Sequence, residues 1–346
     1  MDLSDITAEK ARVRVLRRGI EVVLAVIGFA ALSLVPLGGS SGNSEIGLEP
    51  WLPRSAHEAY GYRLALEGFR RPPARDWLLA SERAVLQPRR ADLPVASSGR
   101  FEAGTGQALG YRFTARGGRR VTVEVAARSV AEGSGRDGTG ADDRAALFVD
   151  LFFATADGVE YLRSAPPLRT RGPTARQRVE LTVLDDGEYL LRVQPSLEFS
   201  GDYDVQVRSE PLLAFPVQGF GARAIQSGFG AERDGGARSH RGVDIFAPRG
   251  TAVVAAMDGW VSRVDTTARG GNVVWLQPLF GNMRLYYAHL DTQLVERGEF
   301  VLAGDVVGTV GNTGNARTTP PHLHFGVYVR QRGRRGGARD PYPFLD

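Results

Sequence analysis

The sequence predicts a mainly β chain in four parts: an N-terminal membrane segment, a short helical region, an antiparallel β-sandwich and a second, small antiparallel β domain. Three observations carry this. One nearly uncharged apolar run, Val22–Leu37, follows a cluster of basic residues. A helical period is confined to the stretch from about Ser55 to Leu86. From about residue 97 to 210 apolar residues recur at every second position, the spacing that lines one face of a strand, and 211–346 is again β-rich and dense in glycine.

The N-terminal part, residues 1–40, reads as a basic stub followed by a membrane anchor or a signal peptide. Lys10, Arg12, Arg14, Arg17 and Arg18 precede the apolar run. Basic residues stay on the cytoplasmic side, so the chain beyond the run is expected to be exported. The 16-residue run would be about 24 Å long as a helix, against a bilayer core of roughly 30 Å. Starting from Gly19 it almost reaches. Small residues after Leu37 are compatible with cleavage instead.

Residues 41–96 read as a Gly/Ser-rich linker and two helices. Ser55 with Glu58 has the spacing of a capping box, with Tyr60, Leu64 and Leu66 following. Pro72-Pro73 breaks that helix, and a second is predicted from about Ala74 to Leu86. His57 has no partner nearby in sequence and is expected at the surface or half-buried.

Residues 97–210 carry the sandwich pattern. Val121, Val123 and Val125 alternate with polar residues, as do Val179, Leu181 and Val183, then Tyr189, Leu191 and Val193, then Tyr203, Val205 and Val207. Asp185-Asp186-Gly187 predicts a hairpin turn between two of these strands. This part has no histidine, which suggests a spacer or binding module without chemistry of its own.

Composition bounds the function. Hydrophobic residues make up 42% of the 346 and charged residues 24%, enough to bury a core. The net charge of +4 comes from 43 basic and 39 acidic residues, a near-balance that does not favour nucleic acid as a partner. The basic, Gly-rich stretch Arg330–Arg339 reads as a solvated loop, or as a contact with an anionic surface. With no cysteine, any metal must be held by His, Asp or Glu.

The candidate chemistry lies in 211–346. Four of the five histidines fall there, in the contexts His240-Arg-Gly-Val-Asp244, Tyr287-Ala-His289-Leu290 and Pro321-His322-Leu-His324-Phe325. His322 and His324 are two apart in a strand-like run, so both face one side while Leu323 faces the other. His240 and Asp244, four apart, also share a face. A catalytic zinc takes three protein ligands and keeps one position open for water. His240, Asp244 and one of the His322/His324 pair supply that count. Such a metal would lower the pKa of its water to about 7 and polarise a carbonyl. His289 and the other histidine of the pair suit proton transfer, since imidazole titrates near neutral pH. Asp291 is a candidate to orient an imidazole, and Tyr287 a candidate substrate contact. The stretch Gly308–Gly314 lacks the Lys-Ser/Thr ending of a phosphate loop and reads as a tight turn.

These motifs, in this order, resemble the lysostaphin/LytM-type zinc endopeptidases. Ser227-Gly-Phe-Gly230, Gly242–Thr251, Val254–Gly259 and Gly308–Gly314 extend the resemblance over about 215–330. The resemblance implies that His240, Asp244 and His324 bind zinc. It implies that His289 and His322 activate water and stabilise the tetrahedral intermediate, and that the substrate is the peptide part of peptidoglycan. The basic residues and apolar run of the N-terminal part predict a cell-envelope location, either anchored in the inner membrane with the catalytic domain outside the cytoplasm or secreted to the periplasm. Two positions depart from the family pattern. Gly326 stands where an acidic residue often follows the His-Leu-His-Phe run, and Asn315–Pro321 replaces a shorter Ser-Thr-Gly-Pro loop. Two other activities fit the resemblance: a non-enzymatic activator of other wall hydrolases, or a peptidase acting on proteins.

Overall fold

The computed structural model describes residues 53–68, 71–129, 145–169, 174–279, 282–330 and 337–345. The apolar run Val22–Leu37 and most of the basic stretch after Arg330 lie outside them. No helix among the described residues is long and apolar enough to cross a membrane. The fold is mainly β, with antiparallel sheets and few helices. The chain divides into two compact units. One takes residues up to Ala115 with Thr122–Glu180 and Gly187–Arg208. The other takes Arg116–Val121, Leu181–Asp186 and Ser209 onward.

The first unit opens with two helices, α1 (Ala56–Gly68) and α2 (Pro72–Leu86). The Ser55 hydroxyl accepts the Glu58 N–H at 3.1 Å. The Glu58 carboxylate reaches past Ser55 to the Arg54 N–H at 2.7 Å, so the predicted box closes one residue early. Pro72 and Pro73 do more than end α1. They occupy the first turn of α2, where a missing N–H costs nothing, so α2 begins two residues before the predicted Ala74. Trp77 is fully buried against Tyr60 and Phe148, and its indole N–H donates to the Pro195 carbonyl at 2.6 Å.

Among the described residues ten strands follow: β1 (Arg89–Arg90), β2 (Val95–Phe101), β3 (Leu109–Ala115), β4 (Arg119–Ser129), β5 (Ala146–Thr155), β6 (Gly158–Ser164), β7 (Leu168–Arg169), β8 (Ala175–Val183), β9 (Gly187–Pro195) and β10 (Gly201–Pro211). They form two sheets, β1-β3-β9-β5-β6 with β7 on β5, and β2-β10-β4-β8. The alternating valines of β4 are buried as their period requires. The predicted hairpin at Asp185–Gly187 is not one. β8 and β9 belong to different sheets, so this turn carries the chain from one sheet to the other.

His57 also departs from expectation, being 4% exposed. Its Nδ1 accepts from Arg192 Nη2 at 2.9 Å, and its Nε2 faces Gln194 Oε1 at 2.6 Å. Arg192 donates in turn to Asp150 Oδ2 at 2.6 Å and to the Ser81 hydroxyl at 2.9 Å. Arg192 and Gln194 lie 135 and 137 residues along the chain from His57, and local sequence could not reveal them.

Among the described residues the second unit holds twelve strands: β11 (Ile225–Ser227), β12 (Glu232–Arg233), β13 (Arg238–Ser239), β14 (Val243–Phe246), β15 (Ala252–Val254), β16 (Gly259–Thr267), β17 (Gly271–Pro278), β18 (Met283–Gln293), β19 (Phe300–Val301), β20 (Val306–Val310), β21 (His322–Val329) and β22 (Gly337–Arg339). The main sheet runs β11-β14-β21-β18-β17-β16-β19. Period two sets its faces. On β21, Leu323, Phe325 and Val327 are fully buried in the core with Ile245, Leu276, Leu285 and Tyr287. His322, His324, Gly326 and Tyr328 therefore face the opposite side.

Candidate metal and active site

Strand pairing brings the predicted ligands together. β14 and β21 pair antiparallel with Asp244 directly opposite His324 and Phe246 opposite His322. Opposed residues on neighbouring strands project to the same side, with Cβ atoms about 5 Å apart. His240 lies just before β14 in a loop fixed from both sides: its N–H donates to the Ala231 carbonyl at 2.8 Å, and its carbonyl accepts the Gly230 N–H at 2.9 Å.

The three ligand atoms form a small triangle. His240 Nε2 is 3.0 Å from Asp244 Oδ1 and 2.9 Å from His324 Nδ1, and His324 Nδ1 is 2.9 Å from Asp244 Oδ1. Ligand atoms about 2.0–2.2 Å from one tetrahedral ion lie roughly 3.3 Å apart, so the triangle suits a common metal. The proton count agrees. His240 Nδ1 lies 2.8 Å from the Gly228 carbonyl and donates to it, which leaves Nε2 of the neutral ring as a lone pair. Asp244 Oδ1 is an acceptor. At most one proton, on His324 Nδ1, lies among the three atoms, and with that ring in its other tautomer three electron pairs converge, which a cation satisfies. The group His240, Asp244 and His324 can hold a metal ion.

Surrounding groups fix this donor set. Arg233 Nη2 donates to the second Asp244 oxygen at 2.8 Å, which leaves Oδ1 for the ion. Burial pushes the Asp244 carboxyl up, but the close His240 and His324 imidazoles outweigh it and hold it below the usual carboxylate range. Burial lowers His324 against the pull of Asp244. A protonated His324 could not bind metal, so the shift favours the ligand form.

His289 arrives by a different device. β18 pairs with β21 in register, with Tyr287 opposite Phe325 and Ala288 opposite His324. On its other side Val274 of β17 faces Tyr287 and Asn272 faces Leu290, so three steps along β18 match two along β17. One extra residue is accommodated there as a bulge, and His289 takes φ of 62°, the single positive value among the described non-glycine residues. Strict alternation would send His289 into the core with Tyr287. The bulge turns it to the ligand side and returns Leu290 to the core. His289 Nδ1 donates to the Thr313 carbonyl at 2.9 Å, and its N–H donates to the Gly270 carbonyl at 2.7 Å.

The His289 ring centroid lies 5.1 Å from that of His322 and 5.9 Å from that of His324. His322 stacks on Phe246, and its Nδ1 donates to the Pro320 carbonyl at 2.9 Å. Its Nε2 is 4.0 Å from Asp244 Oδ1. With Nδ1 engaged by a carbonyl, both His289 and His322 keep Nε2 as the basic nitrogen. Burial first, then the nearby His324 and His322, lower His289 to about 4, so it is neutral and able to accept a proton at physiological pH.

These residues line one groove of about 730 Å³. Trp275, Tyr286 and Tyr328 form an aromatic wall, with ring centroids 4.4 Å apart for Trp275–Tyr286 and 5.2 Å for Trp275–Tyr328. A side chain at Gly326 would press on Tyr328, its Cβ falling 3.0 Å from that ring. The predicted substrate contact at Tyr287 is corrected by parity. Tyr287 is fully buried, with its hydroxyl accepting the Ala256 N–H at 2.9 Å, and Tyr286 is the tyrosine that lines the groove. Asp291 does not orient an imidazole: Arg249 holds its carboxylate, and the Thr313 carbonyl orients His289 instead. Arg233 and the Thr313 carbonyl carry no sequence signal, because their partners are set by loop folding.

Residues 238–339 match Peptidase family M23. The chain is 35% identical over 140 residues to an L-Ala--D-Glu endopeptidase of Bacillus subtilis, across 38% of this chain and 42% of that protein. It is 39% identical over 135 residues to the peptidoglycan DD-endopeptidase ShyC of Vibrio cholerae, across 38% of this chain and 30% of the relative. It is 38% identical over 107 residues to lysostaphin of Staphylococcus staphylolyticus, across 31% and 22%. The matches thus span less than half the length of each relative. The ordered His240–Asp244, His289 and His322–His324 motifs lie inside the matched residues, and the chain carries at 238–339 a domain of peptidase family M23.

Proposed function

We propose that the protein is an exported zinc metalloendopeptidase that hydrolyses peptide bonds of bacterial peptidoglycan. The observation that carries this is the convergence of two imidazoles, His289 and His322, on the same groove face as a three-atom donor set. His240, Asp244 and His324 would hold the ion, which supplies a polarising charge for the peptide carbonyl and for the attacking water. His289 and His322 present their Nε2 atoms toward that place. One accepts a proton of the attacking water and returns it to the leaving amine as the C–N bond breaks; the other, entering as the imidazolium, hydrogen-bonds the oxygen of the former carbonyl and keeps its proton. The Thr313 and Pro320 carbonyls hold each imidazole in the tautomer this requires. The substrate assignment draws on the relative named a peptidoglycan DD-endopeptidase and on the one named an L-Ala--D-Glu endopeptidase. Export and tethering draw on the basic residues and apolar run before residue 38. The helical and two-sheet unit serves as a spacer or a partner-binding module in this reading.

The test is digestion of purified cell walls by the full chain loaded with zinc, followed by mass spectrometry of the soluble fragments. Wild type is expected to release cleaved peptides, and His324→Ala to release none. Equal release by both proteins refutes the reading. A non-enzymatic activator, by contrast, would leave the walls intact on its own and raise the activity of an added amidase in both forms.

A further inference from the structure

Around the donor set the groove is lined by Arg233, Arg238, Arg241 and Arg269, with Asp244 the single acidic residue. Arg233 is engaged by Asp244 and Ser227. Arg241 and Arg269 are different: both are exposed, and neither guanidinium makes an ion pair among the described residues. They are also placed on opposite margins. Arg241 precedes β14 and Arg269 precedes β17, while the sheet order β14-β21-β18-β17 puts the two histidine-bearing strands between them. Arg269 is tied to the His289 side, since its carbonyl accepts the Asn315 N–H at 3.0 Å and the next carbonyl, of Gly270, accepts the His289 N–H. Arg241 acts on Tyr328 electrostatically and borders the aromatic wall. A bound divalent ion, reduced by one carboxylate, adds further positive charge between them. A concave site lined by one sign of charge concentrates the opposite sign.

We infer that Arg241 and Arg269 read carboxylates, one on each side of the bond to be cut, so that the groove selects peptides bearing free carboxylates over neutral ones. This rests on the peptidase reading above. Guanidinium forks match carboxylates in bidentate geometry, and an extended peptide crossing β21 and β18 would bring acidic groups to both margins. The two arginines are therefore specificity-determining residues and take no part in proton transfer.

The test compares one cross-linked muropeptide in two forms, its carboxylates free or converted to carboxamides. Binding is measured by fluorescence anisotropy with the full-length, zinc-loaded His289→Ala protein, and hydrolysis with the wild type. The acid form is expected to bind about fivefold tighter or more, as two partly exposed ion pairs predict. Adding Arg241→Gln and Arg269→Gln should bring the two forms level by weakening the acid form alone. In hydrolysis the same two substitutions, made in the wild type, should raise KM for the acid form and leave kcat unchanged. Equal binding of both forms, or a preference that survives both substitutions, overturns the inference. Acid-selective binding that depends on both arginines but is accompanied by no hydrolysis in the wild type sustains carboxylate selection by the groove and refutes the peptidase reading, and with it the placement about a cut bond.

Discussion

At position 289 a histidine holds a left-handed backbone, which costs a non-glycine residue on the order of 1–3 kcal/mol. Its own N–H, donating to the Gly270 carbonyl, and its Nδ1–H, donating to the Thr313 carbonyl, hold it there. His289→Ala keeps the bulge but removes the basic nitrogen. Wall hydrolysis is expected to fall by about 10²–10⁴-fold, while metal analysis still finds one zinc per chain. Arg233 acts one step further out, on the Asp244 oxygen that faces away from the ion. Arg233→Leu is expected to weaken zinc binding by about 10–100-fold, read by competition with a chelating dye. Unchanged affinity would mean that Asp244 is held by its strand alone.

The loop 312–314 and the start of β17 approach so closely that Gly271 and Gly314, both with positive φ, leave no room for a Cβ. A Cβ on Gly271 would meet the Thr313 hydroxyl and backbone. That contact positions the carbonyl to which His289 donates. Gly271→Ala is therefore expected to lower stability by about 1–3 kcal/mol and hydrolysis by at least tenfold, beyond what reduced folding explains; urea titration and assays at matched folded fraction separate the two. Much of this scale was legible in the chain. Period two placed His322 and His324 on one face of β21 and identified β4, β8, β9 and β10. It could not choose between Tyr286 and Tyr287, because parity along β18 depends on where the strand begins. It could not see the bulge, because a left-handed histidine leaves no compositional mark. The Asp185–Gly187 turn has hairpin residues, yet the strands it joins pair with others, a tertiary choice that local chemistry does not record.

For the molecule as a whole, acidity is expected to act on the first unit through His57. Its pKa drops to about 3, by burial first and then by Arg192, against about 6.5 for an unfolded histidine. Because the folded value is depressed, the unfolded chain binds the extra proton between these limits. The stability contribution is complete above about pH 6.5 and is lost as pH falls toward 3, at about 1.4 kcal/mol per pH unit. Hydrogen exchange of α1 should therefore accelerate on going from pH 7 to 4, after correction for intrinsic rates, and His57→Gln should flatten that dependence. The donor triangle has a comparable reach across the chain, joining residues 80 and 84 positions apart. Such a site exists only after β14 has found β21, one of the most distant pairings in the second unit. In the proposed reading, a chain that has not yet closed this sheet would hold no complete donor set and could not cut, so the activity would be tied to the pairing of β14 with β21.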